Sequence, residues 1–192
     1  MAMALERILP FAKSLLKKAA APGDIVIDAT IGNGHDTCFL AELVGEQGHV
    51  YGFDIQAEAI QQTTKKLAAS GLLERVTLFQ QGHETVLEVL PSDVHGKLAG
   101  AIFNLGYLPG GNKSIVTLPH TTISALLKIL SILKTAGIVV LVIYPGHDEG
   151  QNERDVLLEE VKNIDQQQFH VLQYQFINQK NNPPFVIAIE KR

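Results

Sequence analysis

The sequence has little cysteine, no long apolar run and no strong excess of one charge, and each absence excludes a class of protein. The single cysteine, Cys38, excludes an intrachain disulfide framework. The longest apolar run, residues 137–144, is far shorter than the roughly 20 residues that cross a bilayer. Residues 1–20 carry Glu6 and Arg7 and lack the uninterrupted apolar segment of a signal peptide. We therefore expect a cytoplasmic protein with no membrane segment.

The net charge is −4, from 16 basic and 20 acidic residues, which argues against a protein that coats nucleic acid by bulk charge. This balance leaves room for a small basic patch around a single pocket. The seven histidines show neither an H-x-x-x-H pair nor a Cys/His spacing typical of metal ligands. We therefore predict no metal site.

Apolar, strand-like runs alternate with helical patterns along the chain. The strand-like runs are residues 24–30, 49–55, 75–82, 98–106, 137–146, 169–178 and 184–191. The helical patterns are residues 36–44, 57–70, 83–90, 119–135 and 149–163. Because such alternation implies right-handed crossovers, it predicts an α/β fold with a doubly wound sheet of five parallel strands and helices on both faces. No helix separates the last two runs, so we predict a C-terminal antiparallel hairpin, and the arrangement resembles the class I methyltransferase (Rossmann-like) sheet.

The linkers are short and show no domain boundary, so we predict a single domain over residues 1–192. The helical pattern 119–135 is apolar on two adjacent faces, one with Leu126 and Leu130 and one with Ile129. A helix of this kind is covered on more than one side. Either the N-terminal helix covers the second face or a second subunit does, which makes a homodimer through residues 119–136 an open alternative.

Residues 28–37, DATIGNGHDT, close the first strand and open the next helix. Gly32 and Gly34 permit a tight turn, and the N–H groups of the following helix face the same space. A carboxylate at Asp28 would repel a pyrophosphate but suits a ligand with an amino group, such as S-adenosylmethionine, which has a sulfonium and no phosphate. The predicted cofactor-binding residues of this loop are Asp28, Thr30, Gly32, Asn33, Gly34, Asp36 and Thr37.

Polar residues also end the second and third strands, at the edge where ligands bind in such sheets. Asp54 is placed to accept hydrogen bonds from ribose hydroxyls, with Ile55 and Gln56 beside the adenine. Gly82 and His83 end the third strand, where they meet the adenine edge. Together, the three strand ends predict a site for S-adenosylmethionine, with S-adenosylhomocysteine as the product.

The fourth strand ends in FNLGYLPGG, whose glycines and proline can neither continue a strand nor start a helix. Asn104, followed by Leu105, Gly106 and Tyr107, resembles the Asn-Pro-Pro-Tyr tip of many amine methyltransferases, with Leu-Gly in place of the two prolines. There, the amide oxygen and a backbone carbonyl hold the amine, and the aromatic ring packs on it. We therefore predict that Asn104 binds the acceptor amine and also borders the cofactor.

A primary amine must lose a proton before it accepts a methyl group, which costs about 4–5 kcal/mol at neutral pH. Burial beside the sulfonium lowers the pKa of the amine. Tyr107, Tyr144 and His147 are the predicted groups that receive or relay the proton. Cys38 lies on the apolar face of the first helix after the glycine loop, so we do not expect covalent methylation of carbon through a cysteine nucleophile.

Five segments together resemble the motif set of the YtqB/MnmM family of S-adenosylmethionine-dependent methyltransferases: DATIGNGHDTCFLA, FDIQAEAI, FNLGYLPGGNKSIVT, YPGHDEG and NNPPFVIAIEK. The resemblance covers about residues 5–192. It implies N-methylation of the aminomethyl group on the tRNA wobble uridine, to 5-methylaminomethyl-(2-thio)uridine, with the anticodon stem-loop as partner. We expect the N-terminal helix, residues 1–22, on or near the acceptor side. The substrate-binding residues that the resemblance implies are Leu105, Gly106, Tyr107, Leu108, Pro109, Gly110, Gly111, Lys113, Thr117, Tyr144 and His147.

Two other functions stay open. An rRNA or small-molecule amine methyltransferase on the same fold fits the residues, and the acidic net charge favours the small substrate. A non-enzymatic nucleotide-binding or interaction module also fits, because a fold alone does not determine function.

Overall fold

The structure is a computed structural model that describes residues 4–106, 116–145 and 148–192. Its helices are α1 (Ile8–Ala19), α2 (His35–Val44), α3 (Ala57–Ala69), α4 (Val86–Val89), α5 (Pro119–Ile132) and α6 (Asp148–Lys162). Its strands are β1 (Ile25–Asp28), β2 (His49–Phe53), β3 (Val76–Phe79), β4 (Leu98–Leu105), β5 (Leu133–Ile143), β6 (Phe169–Tyr174) and β7 (Phe185–Lys191). No helix in the described ranges is long and apolar enough to cross a bilayer.

The seven strands form one sheet in the order β3-β2-β1-β4-β5-β7-β6. Strands β1 to β5 pair in parallel, as predicted. Strand β7 pairs antiparallel with both β5 and β6, which confirms the C-terminal hairpin. Because β7 lies between them, β6 runs in the same direction as β5, and β7 alone is reversed. Asn181 and Asn182 adopt positive φ in the connection, a conformation that asparagine tolerates better than most residues.

Helices cover both faces of the sheet because side chains alternate along each strand. On β4, Phe103 packs with the cluster that contains residues of α4, α5 and α6, whereas Ile102 packs with residues of α1, α2 and α3. On β5, likewise, Leu141 packs in the same cluster as Phe103 and Val142 in the same cluster as Ile102. The doubly wound α/β prediction is therefore confirmed.

The position of α1 corrects one sequence-based expectation. Its fully or nearly fully buried side chains Ile8, Ala12 and Leu16 belong to the cluster on the face opposite α5. The N-terminal helix therefore does not cover α5. The second apolar face of α5 is covered within the chain, because Leu157 of α6 and Val86 of α4 lie in the same cluster. The homodimer through residues 119–136 stays a prediction.

Two element boundaries also differ from the predicted ones. Helix α5 ends at Ile132 and β5 begins at once, while the register with β4 shifts before Ile138 and Ala136 adopts φ 61°. The residues between Leu133 and Ile138 bulge out of the ladder with β4, so β5 starts earlier than its continuous apolar run suggests. The pattern 83–90 contains a 3₁₀ turn before the single turn of α4.

The packing of α1 is testable by truncating its central side chain. Leu16→Ala should lower the free energy of unfolding by about 2–5 kcal/mol, because Leu16 is fully buried beneath α1 and its removal leaves a cavity. The matched control is Leu9→Ala on the same helix, where the side chain is 45% exposed and the expected change is within about 0.5 kcal/mol. Urea denaturation measures both. Equal losses for the two variants would contradict this packing.

Candidate functional site

A cleft opens at the carboxyl ends of β1, β2 and β4 and encloses a cavity of about 280 Å³. We call it the strand-end cleft. Strand β1 is central because it pairs with β2 on one side and β4 on the other, so the ends of three strands meet at one edge. The predicted residues that line it are Thr30, Gly32, Asp54, Ile55, Gln56, Gly82, His83, Asn104, Gly106 and Thr117.

The other predicted residues either do not line the cleft or fall outside the described residues. Those absent from the cleft lining are Asp28, Asn33, Gly34, Asp36, Thr37, Leu105 and Tyr144. Those that fall outside the described residues are Tyr107, Leu108, Pro109, Gly110, Gly111, Lys113 and His147. Lining residues that sequence reasoning missed are Ala29, Phe53, Gln81, Glu84, Val116, Leu118 and Thr121. The first four adjoin predicted residues in the sequence, so their position at strand ends could have identified them. The last three lie around the start of α5, and nothing in the local sequence indicates that this segment approaches the cleft.

Asp54 links the glycine loop to the end of β2. One carboxylate oxygen accepts from the Gly32 N–H at 2.9 Å, and the other accepts from the Gln56 N–H at 2.9 Å. Each oxygen retains a further lone pair, because an ionised carboxylate has about four acceptor sites. Asp54 can therefore hold the loop and still accept hydrogen bonds from a bound diol.

Asp28 occupies a different place from the one its sequence suggested. The side chain is fully buried, and its oxygens accept from Thr37 Oγ1 at 2.6 Å and from the Thr30 N–H at 3.2 Å. Burial, and secondarily the charge of Asp36, raise the pKa of Asp28 to about 7. The residue therefore lies beneath the glycine loop and supports it, instead of facing a cationic ligand from the cleft wall.

His83 presents a buried acceptor at the strand-end cleft. Its Nδ1 lies 2.9 Å from the Ala29 carbonyl oxygen, and since a carbonyl only accepts, Nδ1 carries the proton. Burial lowers the pKa of His83, so the imidazole is neutral. Nε2 is then an acceptor, and it has no hydrogen-bond partner within the part of the chain that the structure describes. The ring edge meets Phe103, with the centroids 5.4 Å apart.

Asn104 is held through both its backbone and its side chain. Its N–H donates to Thr30 Oγ1 at 2.7 Å, which ties the end of β4 to the end of β1. Its side-chain Nδ2 donates to Asp36 Oδ2 at 2.6 Å. The other oxygen of Asp36 lies 2.9 Å from Lys13 Nζ on α1. Asp36 therefore contacts the predicted acceptor residue, and α1 reaches the same place.

Thr117 is hydrogen-bonded to Gly106, the residue that follows β4. Its N–H donates to the Gly106 carbonyl at 3.1 Å, and its Oγ1 accepts from the Gly106 N–H at 3.1 Å. The Thr117 hydroxyl donates in turn to the buried Glu153 at 2.6 Å, and Thr122 donates to the same carboxylate at 2.8 Å. The hydroxyl that we expected to contact RNA is thus engaged within the protein.

Two further groups limit the chemistry. Burial, and secondarily the charge of Asp36, raise the pKa of Tyr144, so it is a phenol at neutral pH and not a phenolate base. Burial likewise raises the pKa of the Cys38 thiol, which disfavours the thiolate that a nucleophile requires. Among the described residues, no three His, Cys, Asp or Glu side chains are grouped as a metal site would need.

Sequence relatives give the first comparison with known proteins. A family model described as "Putative rRNA methylase" matches residues 50–190. The "tRNA (mnm(5)s(2)U34)-methyltransferase, chloroplastic" of Arabidopsis thaliana is 46% identical over 143 residues, 70% of this chain and 52% of that protein. The "Ribosomal RNA small subunit methyltransferase H" of Bifidobacterium adolescentis is 31% identical over 88 residues, 45% of this chain and 25% of that protein. The chain thus spans about half, or less, of the length of these curated relatives.

Solved structures give the second comparison. A "putative rRNA-methylase" from Clostridium thermocellum superposes with a TM-score of 0.95 at 46% identity, over 99% of this chain and all of that one. The Streptococcus mutans protein SMU.1697c, "a putative methyltransferase" in complex with SAH, has a TM-score of 0.88 at 39% identity, over 98% of this chain and 99% of that one. An O-methyltransferase from Thermotoga maritima, at 16% identity and a TM-score of 0.67, shares the fold.

The buried Asp28 gives the stability a pH dependence of definite sign. Because its pKa is about 7 in the folded protein against 3.8 normally, its contribution to stability is present below about pH 4 and is lost as the pH rises to about 7. Asp28→Asn removes this titration, so the variant should gain stability relative to the wild type between about pH 5 and about pH 8. Chemical denaturation at both pH values measures the difference. A difference that does not change with pH would contradict the raised pKa.

Proposed function

The chain belongs to the "Putative rRNA methylase" family, and from this premise we propose that it is an S-adenosylmethionine-dependent N-methyltransferase acting on the aminomethyl group of a tRNA wobble uridine. The product is the 5-methylaminomethyl-(2-thio)uridine. The observation that carries the proposal is the side-chain amide of Asn104, which lines the strand-end cleft with its N–H end already bonded to Asp36. Its oxygen remains as the acceptor for an amine.

The strand-end cleft has polar groups that suit the adenosine part of S-adenosylmethionine. The Asp54 carboxylate accepts from ribose hydroxyls, and His83, which lines the cleft, borders the adenine. Ile55, which is 57% exposed beside Asp54, offers apolar area to the base. The Streptococcus mutans relative was solved in complex with SAH, the product of such a reaction, which supports the same cofactor here.

When bound, S-adenosylmethionine supplies a methyl group on a cationic sulfur. The chain's own residues supply position, because an in-line displacement gains most from holding the acceptor lone pair close to the carbon. Asn104 Oδ1 accepts a hydrogen bond from the amine and thereby orients its nitrogen. The Tyr144 phenol is neutral and cannot itself take up the proton that the amine loses, so its role would be to relay that proton to solvent. Tyr107 and His147 remain the proposed proton relays.

The choice of tRNA rests on the strength of the relationships. The Arabidopsis thaliana relative, named for the modified wobble uridine, is 46% identical over 70% of this chain. The relative named for ribosomal RNA is 31% identical over 45% of it. The family description names rRNA, so ribosomal RNA is the second candidate substrate. The cytoplasmic location and the homodimer stay predictions.

An in vitro assay separates these substrates. The protein is incubated with S-adenosylmethionine and, in parallel, with tRNA that carries the aminomethyl uridine, with ribosomal RNA and with the free nucleoside, and the products are identified by mass spectrometry. We expect methylaminomethyl uridine from the tRNA alone. Its rate should fall steeply with added salt, because phosphate contacts release counterions. Methylation of ribosomal RNA, or a rate on the nucleoside that is insensitive to salt, would overturn the tRNA assignment.

Cofactor binding is measured separately. Calorimetry should show binding of S-adenosylhomocysteine to the wild-type protein and no comparable binding of NAD, because the glycine loop has Thr37 where the G-x-G-x-x-G fingerprint of a dinucleotide site has its third glycine. Preferential binding of NAD would contradict the cofactor assignment and favour the alternative of a nucleotide-binding module.

Asn104→Ala tests the acceptor role. The variant should lose about 100-fold in turnover on the undermodified tRNA, because the amide that orients the amine is gone, while S-adenosylhomocysteine binding is retained. The matched control is Asn163→Ala, an exposed asparagine at the end of α6 whose amide donates to the Glu159 carbonyl. Turnover of Asn104→Ala equal to that of the control would rule out the proposed acceptor site.

A further inference from the structure

Three side chains from three separate elements form a chain of contacts that ends at the strand-end cleft. Lys13 of α1 lies 2.9 Å from one oxygen of Asp36, in the first turn of α2. The other oxygen accepts from Asn104 Nδ2, near the end of β4, at 2.6 Å.

The carboxylate decides which end of the Asn104 amide faces it. An ionised carboxylate only accepts hydrogen bonds, so the NH₂ end of the amide is the end that bonds to Asp36. The carbonyl end then points away from Asp36. The two ends of an amide are nearly equal in shape, so the acceptor-only carboxylate is what fixes which end faces it. The short N–O distance is typical of a hydrogen bond to a charged group, which is stronger than a neutral one.

Lys13 holds the carboxylate in turn. The Asp36 side chain is 15% exposed and that of Lys13 is 33% exposed, so the pair is partly shielded from water. The Lys13 ammonium also lies 4.8 Å from the centre of the Phe39 ring, which restrains it further. The adjacent Lys17 lies 5.8 Å from the same ring and is exposed to solvent.

We propose that Asp36 is a positioning residue that orients the Asn104 amide so that its oxygen binds the acceptor, and that Lys13 fixes Asp36 in place. Helix α1 is then part of the acceptor site, although it packs on one face of the sheet through its apolar side. The role of the Asn104 oxygen rests on the proposed function, but the orientation of the amide does not.

The orientation is measured first by NMR, without any substrate. In the wild type, the side-chain amide protons of Asn104, assigned through loss of the signal in Asn104→Ala, should exchange slowly with solvent because one of them is bonded to Asp36. Asp36→Asn, which keeps the shape and removes the charge, should speed this exchange by about tenfold or more. Unchanged exchange in Asp36→Asn would overturn the proposal, whatever reaction the protein catalyses.

Steady-state kinetics with the RNA that the protein methylates as substrate then tests the consequence for catalysis. Asp36→Asn should lower kcat by about tenfold, with KM for the RNA and the affinity for S-adenosylhomocysteine each within about twofold of wild type. Lys13→Gln should act in the same direction and less strongly. Lys17→Gln is the matched control and should behave as wild type.

The outcomes are distinguishable. If Asp36→Asn instead weakens S-adenosylhomocysteine binding by about tenfold, Asp36 is a cofactor ligand, as the sequence first suggested, and the positioning role is wrong. If Lys13→Gln matches Lys17→Gln in amide exchange and in kcat, α1 has no part in the site. If the wild type is inactive on every RNA, the proposed function fails, and the amide exchange still decides the orientation.

Discussion

The end of β1 is held by hydrogen bonds from both neighbouring strands, and the strand-end cleft depends on this arrangement. Beyond the strand, the Ala29 N–H donates to the Ile102 carbonyl at 2.9 Å, and the Ile31 N–H donates to the Phe53 carbonyl at 3.0 Å. The chain therefore crosses from the β4 side to the β2 side of the sheet within three residues. Because β1 lies between β2 and β4, the cleft opens where the chain leaves the sheet, at the edge where ligands bind in doubly wound sheets.

Polar side chains around this crossing bond to the loops before any ligand arrives. Asp54 holds the Gly32 N–H, Thr30 receives the Asn104 N–H, and Asp28 is bonded beneath the loop. Such groups need no reorganisation on binding, which is the condition under which fixed dipoles are most effective. In the described part of the structure, the Nε2 of His83 is a buried acceptor left without a partner.

The two faces of the sheet contribute differently to the cleft. Helix α5 brings Thr121 to the cleft wall, with Leu118 just before the helix, and Glu153 of α6 anchors the chain that leads into α5. From the other face, α1 contributes a polar contact to Asp36, through Lys13. The acceptor end is thus supported from both layers, and substitutions far apart in the sequence are expected to act on one amide.

The layers of the fold and the edge at which the site lies follow from the amino-acid pattern alone. Apolar periodicity placed the strands and helices, and polar residues after successive strands marked their carboxyl ends, because parallel strands end on one side of a sheet. The tertiary structure alone decided which partners those residues take. Asp28 is buried and Asp36 turns toward Asn104 because the left-handed backbone at Gly32 and Gly34 sets the direction of the loop. The face that α1 covers was likewise open, since an amphipathic helix fits any apolar surface and only the competing packing of α6 on α5 excludes it from that side.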